Sequence, residues 1–288
     1  MVYRRFKNSF VVDSFLSLEY SYEESKYIII RYPYERTSSW IPGSKLGPNS
    51  IIEASKYLDT FDLELEYIPA EVGIHTLPEM EVKVDPLKAI EEVRYLVGGV
   101  LEDDKVPILL GGEHTVSIGS AKAAKEHGAE VFISLDAHMD FYESYEGSKY
   151  SHACTAKRVS EFMKVAIIGV RTADWEEFDN SKGSIVVKRE EVNSWEDKLN
   201  GLFGATAHLS IDLDVLDPSV LPCLGTPEPD GLTWREAVSL IKGIIRNFKV
   251  ISMDFVEFRP CSHSWADSLS VAKMLYKAIS YHIAYSRH

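Results

Sequence analysis

FISLDAHMDFY, residues 132–142, sets two opposed demands side by side. Val131 to Leu135 is an apolar run of strand length, the kind of segment that a sheet buries. Asp136, His138 and Asp140 follow it at once, and ionisable groups are costly to bury without compensation. In an extended chain successive side chains point to opposite faces, so 136, 138 and 140 are expected to share one side for as long as the extension lasts. Two carboxylates and an imidazole converging on one point suggest a divalent metal ion.

Similar runs recur on both sides of this one. Residues 26–32, 106–112, 130–138, 164–171, 184–188, 205–214 and 248–258 read as strands, apolar throughout rather than alternating, which marks burial on both faces. Between them, 48–58, 85–103, 117–128, 154–163, 233–248 and 267–285 carry apolar residues at helical spacing. Strands of this type alternating with helices predict an α/β fold with a parallel sheet covered on both sides. No repeat, low-complexity tract or linker interrupts residues 1–288, which are read as one domain.

Composition narrows the function classes. A net charge of −13 over 288 residues argues against nucleic-acid binding, which calls for a basic patch. An acidic surface can gather a cationic substrate. Cys154, Cys223 and Cys261 are far apart and form no C-x-x-C pair, so neither a disulfide framework nor a zinc-thiolate site is expected, and a reducing cytoplasm fits. The start, MVYRRFKNSFVVDSF, lacks the apolar core and cleavage site of a signal peptide, and no run approaches membrane-spanning length.

In open parallel sheets, ligands bind beyond the carboxyl ends of the strands. Four expected strands end in ionisable groups there: Glu113 and His114, then Asp136, His138 and Asp140, then Asp212 and Asp214, then Asp254 and Glu257. Six of these, two His and four Asp, come from three strand ends. Uncompensated, they would repel and desolvate one another, whereas two divalent cations would neutralise four carboxylates. Oxygen-rich ligation with some imidazole and no thiolate suits manganese better than structural zinc. A pair of ions roughly 3.5–4 Å apart activates a bridging water, so hydrolysis at carbon or phosphorus by metal-bridging hydroxide is the expected chemistry.

GGEHTVS (111–117), SLDAHMD (134–140) and SIDLDVLDPS (210–219) resemble the three signatures of the ureohydrolases, the family of arginases and agmatinases. TSSWIPGSKLGPNSIIEAS (37–55), GTPEPDGLTWRE (225–236) and DFVEFRP (254–260) are also similar to family segments, so the likeness spans most of the chain. It implies a three-layer α/β/α sandwich with a mostly parallel sheet and two Mn2+ ions per chain. One ion would be held by His114, Asp136, Asp140 and Asp212, the other by Asp136, His138, Asp212 and Asp214. Glu257 lies where the family binds the guanidinium group, and His152 where it places a proton-shuttling histidine. Relatives assemble as trimers or hexamers, which implies a homo-oligomer. Departures are Glu113, where many relatives have Asp, and Phe258 and Arg259, where they often have Val and Asn. None removes an implied ligand, and Glu113 reads as a supporting residue behind the ligands.

Substrate choice falls to FYESYEGSKYS (141–151). Arginases place Asn and Thr or Ser there to receive an α-carboxylate; this loop has no Asn or Thr and offers Tyr142, Glu143 and Glu146 instead. Acidic and aromatic groups suit a cationic tail. Agmatine, cleaved to urea and putrescine, is therefore the expected substrate, ahead of aminopropylagmatine, arginine and guanidinobutyrate. Competing classes are a zinc deacetylase-like amidohydrolase, a metal phosphoesterase, which would want cations near the site, and a non-catalytic metal-binding protein, which predicts a gap in the ligand set.

Overall fold

A computed structural model describes residues 13–261 and 265–285; residues 1–12 of the segment read above for a leader lie outside them. Eight strands form one sheet: β1 Tyr27–Tyr32, β2 Ile74–Thr76, β3 Val106–Gly111, β4 Val131–Leu135, β5 Lys164–Val170, β6 Ile185–Lys188, β7 Thr206–Asp212 and β8 Lys249–Val256. Their order is β2-β1-β3-β8-β7-β4-β5-β6, and every neighbouring pair is parallel. The helices are α1 Gly47–Ser55, α2 Pro86–Glu102, α3 Ser117–Glu126, α4 Thr155–Ser160, α5 Trp175–Asn180, α6 Trp195–Leu199, α7 Trp234–Asn247 and α8 Trp265–Tyr285.

The strands are apolar on both faces because both faces are covered. On one, Ile29, Ile108, Ile133, Leu209 and Phe255 pack with Ile51 of α1, Leu199 of α6, Ile241 of α7 and Leu275 of α8. On the other, Ile28 and Leu109 meet Val93 of α2, while Phe132 and Ile167 meet Ile118 of α3 and Val159 of α4. This is the expected three-layer sandwich, with the sheet wholly rather than mostly parallel. Start signals are legible locally. Asp85 accepts a hydrogen bond from the Lys88 amide at 3.0 Å with Pro86 just behind it, and Thr233 and Glu236 close a capping box at the head of α7. β2, α5 and α6 were not expected; at three, six and five residues each is too short to show a period.

One expectation is overturned. Cys223 and Cys261 form a disulfide across 38 residues of sequence, leaving Cys154 as a buried free thiol. Sequence spacing could not show it, because the sheet does the pairing. β7 and β8 are neighbours, and their outgoing loops run together at an antiparallel bridge between Leu224 and Phe258. Among the described residues no helix is long and apolar enough to cross a membrane.

α2 and α3 make close contact at Gly119, where an added Cβ would stand 2.4 Å from the Ile90 carbonyl oxygen and 2.8 Å from Val93 Cβ. Backbone cannot yield as a flexible side chain can, so Gly119→Ala is expected to cost about 1–3 kcal/mol. Chemical denaturation checks this, and an unchanged midpoint would contradict the contact.

Candidate metal centre

β3, β8, β7 and β4 are consecutive in the middle of the sheet, and the turns at their carboxyl ends deliver His114, Asp136, His138, Asp140, Asp212, Asp214 and Glu257. The chain bends more sharply than strand alternation alone would give. β4 stops at Leu135, and Asp140 takes a positive φ of 54°. Local turns replace the extension: Asp136 Oδ1 accepts from the His138 amide at 2.7 Å, and Asp212 Oδ1 accepts from the Asp214 amide at 2.9 Å. The two glycines before Glu113 are required by packing. A Cβ on Gly112 would lie 2.0 Å from the Tyr34 carbonyl oxygen, so only a bare backbone lets β3 turn under the preceding loop.

His114 Nδ1 lies 2.9 Å from Asp140 Oδ2 and 3.3 Å from Oδ2 of both Asp136 and Asp212. His138 Nδ1 lies 2.8 Å from Asp214 Oδ2 and 3.8 Å from Asp136 Oδ1. Two triads have ligand atoms within 4.8 Å of one another, His114–Asp136–Asp212 and Asp136–His138–Asp214, and they share Asp136. His114 Nδ1 is buried without a hydrogen-bond partner of acceptable geometry. Its tautomer follows from what lies behind it. Ser210 Oγ gives its only proton to Asp254 Oδ1 at 2.5 Å, so at 3.1 Å from His114 Nε2 it must accept. Nε2 therefore carries a hydrogen, and Nδ1, which faces three carboxylates, is the nitrogen free to ligate a cation. Without one, burial disfavours the charged ring, but Asp136 and Asp140 outweigh it and hold the imidazole protonated. That orphaned nitrogen amid oxygens fits a cation. Asp254, a strand-end carboxylate in the sequence, turns inward and is also bound by His208 Nε2 at 2.8 Å.

Charge crowding shows in three of the four acids of the cluster. Burial, with repulsion from Asp136, pushes Asp140 up to about 7, and burial with repulsion from Asp214 raises Asp136 and Asp212. Asp214 alone is pulled down, to about 2, because His138 overcomes its burial. Burial would lower His138, but Asp214 drives it to about 10. Without cations the cluster must hold protons in their place.

Glu257 also has a positive φ, 61°, and is held by the first turn after β3: its amide donates to the Gly112 carbonyl at 2.8 Å, and its Oε1 accepts from the His114 amide at 2.7 Å. Burial and the nearby Glu113 carboxylate raise it well above the usual range. Arg259 does not compensate it, because that side chain reaches the Pro42 carbonyl at 3.0 Å. His152 borders a cleft of about 230 Å³ that also exposes His138, Asp140, Tyr142, Tyr145, Asp174 and Glu177. Burial, helped by the charge of His138, lowers the His152 imidazole to about 4.

Of the four residues expected to bind substrate, Glu257 and Tyr142 are at the site and two are not. Glu143 is engaged outside by Arg158 at 3.1 Å and Lys149 at 3.3 Å, and Glu146 sits exposed in the turn closed by Tyr145 and Ser148. Asp174 was missed. It caps α5 with Glu177 and accepts from the Tyr142 hydroxyl at the cleft mouth. The capping box D-W-E-E was readable at 174–177, but its distance in sequence from the cleft was not.

Residues 25–280 match the profile of the Arginase family. The chain belongs to the arginase family. It is 33% identical to an N(1)-aminopropylagmatine ureohydrolase of Thermus thermophilus over 90% of each chain, and 32% identical to an agmatinase of Pyrococcus horikoshii over 89% of this chain and 92% of that one. Its fold superposes on the crystal structure of the agmatine ureohydrolase of Thermoplasma volcanium with a TM-score of 0.88, 30% identity and 98% coverage of both.

In this arginase-family cluster protons stand where cations would bind, which gives a pH dependence. The stability conferred by raising His138 from 6.5 to about 10 is complete below 6.5 and lost as pH rises toward 10. Raised Asp140 acts in the same direction up to about 7. Lowered His152 acts oppositely, but only below 6.5. The metal-stripped protein should therefore melt at a lower temperature at pH 8.5 than at pH 7, and saturating Mn2+ should shrink the difference. A metal-free midpoint that rises over this interval contradicts the assignment.

Proposed function

We propose that this chain is a binuclear manganese ureohydrolase that cleaves agmatine to urea and putrescine. The observation that carries the reading is the meeting of two imidazoles and four carboxylates, five of these groups in two triads that share Asp136 and the sixth, Asp140, against His114, with Glu257 bonded to the His114 amide and a cleft reaching His138 and Asp140. Bound by His114, Asp136, Asp140 and Asp212, and by Asp136, His138, Asp212 and Asp214, two Mn2+ ions would supply a water that ionises near neutral pH and positive charge for the developing oxyanion.

The chain's own groups do the rest. Glu257 has an oxygen left to pair with the planar guanidinium, and a carboxylate raised by burial ionises readily once a cation sits against it. His152, neutral at pH 7, takes a proton and returns it to the departing amine, so guanidinium and water become urea and an ammonium ion. At the cleft mouth Tyr142 and Tyr145 stand with ring centroids 5.1 Å apart beside Asp174. Among the described residues no Lys or Arg lines the cleft. That favours a cationic tail over an α-carboxylate, and Asp174 replaces Glu143 and Glu146 as the acid that receives it.

Aminopropylagmatine is the second reading. It carries the same guanidinium on a longer cationic tail, and it is the substrate in the name of the Thermus relative. Urea release after Mn2+ loading, measured with agmatine, aminopropylagmatine, arginine and guanidinobutyrate, separates the readings. Arginine as the best substrate would falsify the tail argument. Asp136→Ala should lose bound metal and bring turnover to background; full metal content with retained turnover would sink the shared-ligand assignment. Asp174→Asn should raise KM for agmatine about tenfold, the loss of one charge-assisted contact of roughly 1.5 kcal/mol, with little change for an uncharged alkylguanidine.

A further inference from the structure

Glu113 is fully buried, yet it belongs to neither ligand triad. Four donors surround it. The Arg36 and Thr37 amides give to Oε2 at 2.6 and 2.7 Å, and the Thr37 and Thr115 hydroxyls give to Oε1 at 2.8 and 2.9 Å. A buried acid so completely supplied holds the preceding loop in one conformation. The part of that loop it fixes most closely is Thr37, at both amide and hydroxyl.

Thr37 is also the partner of His152. Its oxygen accepts from the His152 amide at 3.1 Å and stands 3.1 Å from His152 Nδ1. A hydroxyl has one proton, and that of Thr37 is given to Glu113. Toward the imidazole it can only accept, so Nδ1 carries the hydrogen. The nitrogen left with a free lone pair is Nε2, on a residue that lines the cleft. Ser151 Oγ, at 3.3 Å, is the other polar neighbour of Nδ1 and is placed to take a share of the same hydrogen.

We infer that Thr37, held by Glu113, is a positioning residue for proton transfer: it fixes the tautomer and the ring direction of His152 from outside the metal cluster. The inference rests on the shuttle reading of His152 and adds the device that orients it. The same construction recurs where Asp254 and Ser210 orient His114. In each, a carboxylate commits a hydroxyl proton, and the hydroxyl then dictates which imidazole nitrogen is bare.

Steady-state kinetics of the Mn2+-loaded enzyme on agmatine, run as a double-mutant cycle, test it. Thr37→Val keeps the shape and removes the acceptor. It should lower kcat by about tenfold to a hundredfold with KM and bound metal unchanged, and Thr37→Ser should restore most of kcat. In a His152→Asn background, Thr37→Val should change kcat no further, because Thr37 acts only through that ring. Full activity of His152→Asn alone overturns the shuttle reading and this inference with it. Activity lost in His152→Asn but intact in Thr37→Val overturns this inference only. A Thr37→Val loss of equal size in both backgrounds, or a loss that follows bound metal, assigns Thr37 a purely structural role and overturns it too.

Discussion

Mutual repulsion among buried carboxylates is the constraint on which this structure depends. Asp136, Asp212 and Asp214 are almost wholly buried, and Asp140 nearly so, around two imidazoles. Close-packed like charges in a low dielectric are unfavourable by several kcal/mol unless protons or cations intervene. Nothing in the apolar layers can supply that compensation. The fold therefore does the opposite of a normal core at one place: it presses six ionisable groups together and leaves one side open, with His138 its most exposed member at 27%. Cations in that open side would be the cheapest relief.

A parallel sheet suits that task because its strands end together. β3, β8, β7 and β4 lie side by side, so residues 114, 136, 212 and 257, remote in sequence, become neighbours without any long-range loop having to find its place. Two further pieces lock the loops. Arg171, at the end of β5, gives its guanidinium to the carbonyls of Asp214 at 2.7 Å and Glu228 at 3.0 Å, and the Cys223–Cys261 disulfide joins the segments leaving β7 and β8. Setting the half-buried Arg171 against carbonyls rather than a carboxylate keeps another negative charge out of a region that has too many.

Legibility in the sequence divided along physical lines. β1, β3, β4, β5 and β7 were bounded to within a few residues because burial on both faces makes an apolar run, and Gly111–Gly112 or an Asp ends it sharply. The clustering of His114, Asp136, His138, Asp140, Asp212 and Asp214 was legible because ionisable side chains at strand ends have few bland explanations when they recur. What was not legible depends on three-dimensional neighbourhood. Strand alternation was the wrong reason for the convergence of 136, 138 and 140, since the chain turns after Leu135 and side-chain-to-amide bonds reposition the groups. Glu143 and Glu146 carried the right charge in the right loop, but Arg158 and Lys149 claim one and solvent the other. Asp174 and the disulfide partners come from separate segments whose proximity no local pattern encodes.

Backbone strain marks where the fold spends stability on the site. Asp140 and Glu257 both sit at positive φ, where a residue with a Cβ is held at a cost of about 1–3 kcal/mol. Each is over-determined by bonds from elsewhere: the Asp140 carbonyl takes the Lys157 amide at 3.0 Å at the start of α4, and Glu257 is bonded at both its amide and its carboxylate to the turn after β3. Relaxing either residue would swing its carboxylate away from the shared centre, Asp140 from the His114 ring and Glu257 from the His114 amide. The strain and the crowding are thus one problem. The apolar layers must hold the backbone in conformations that local energetics disfavour so that charges which repel one another still meet.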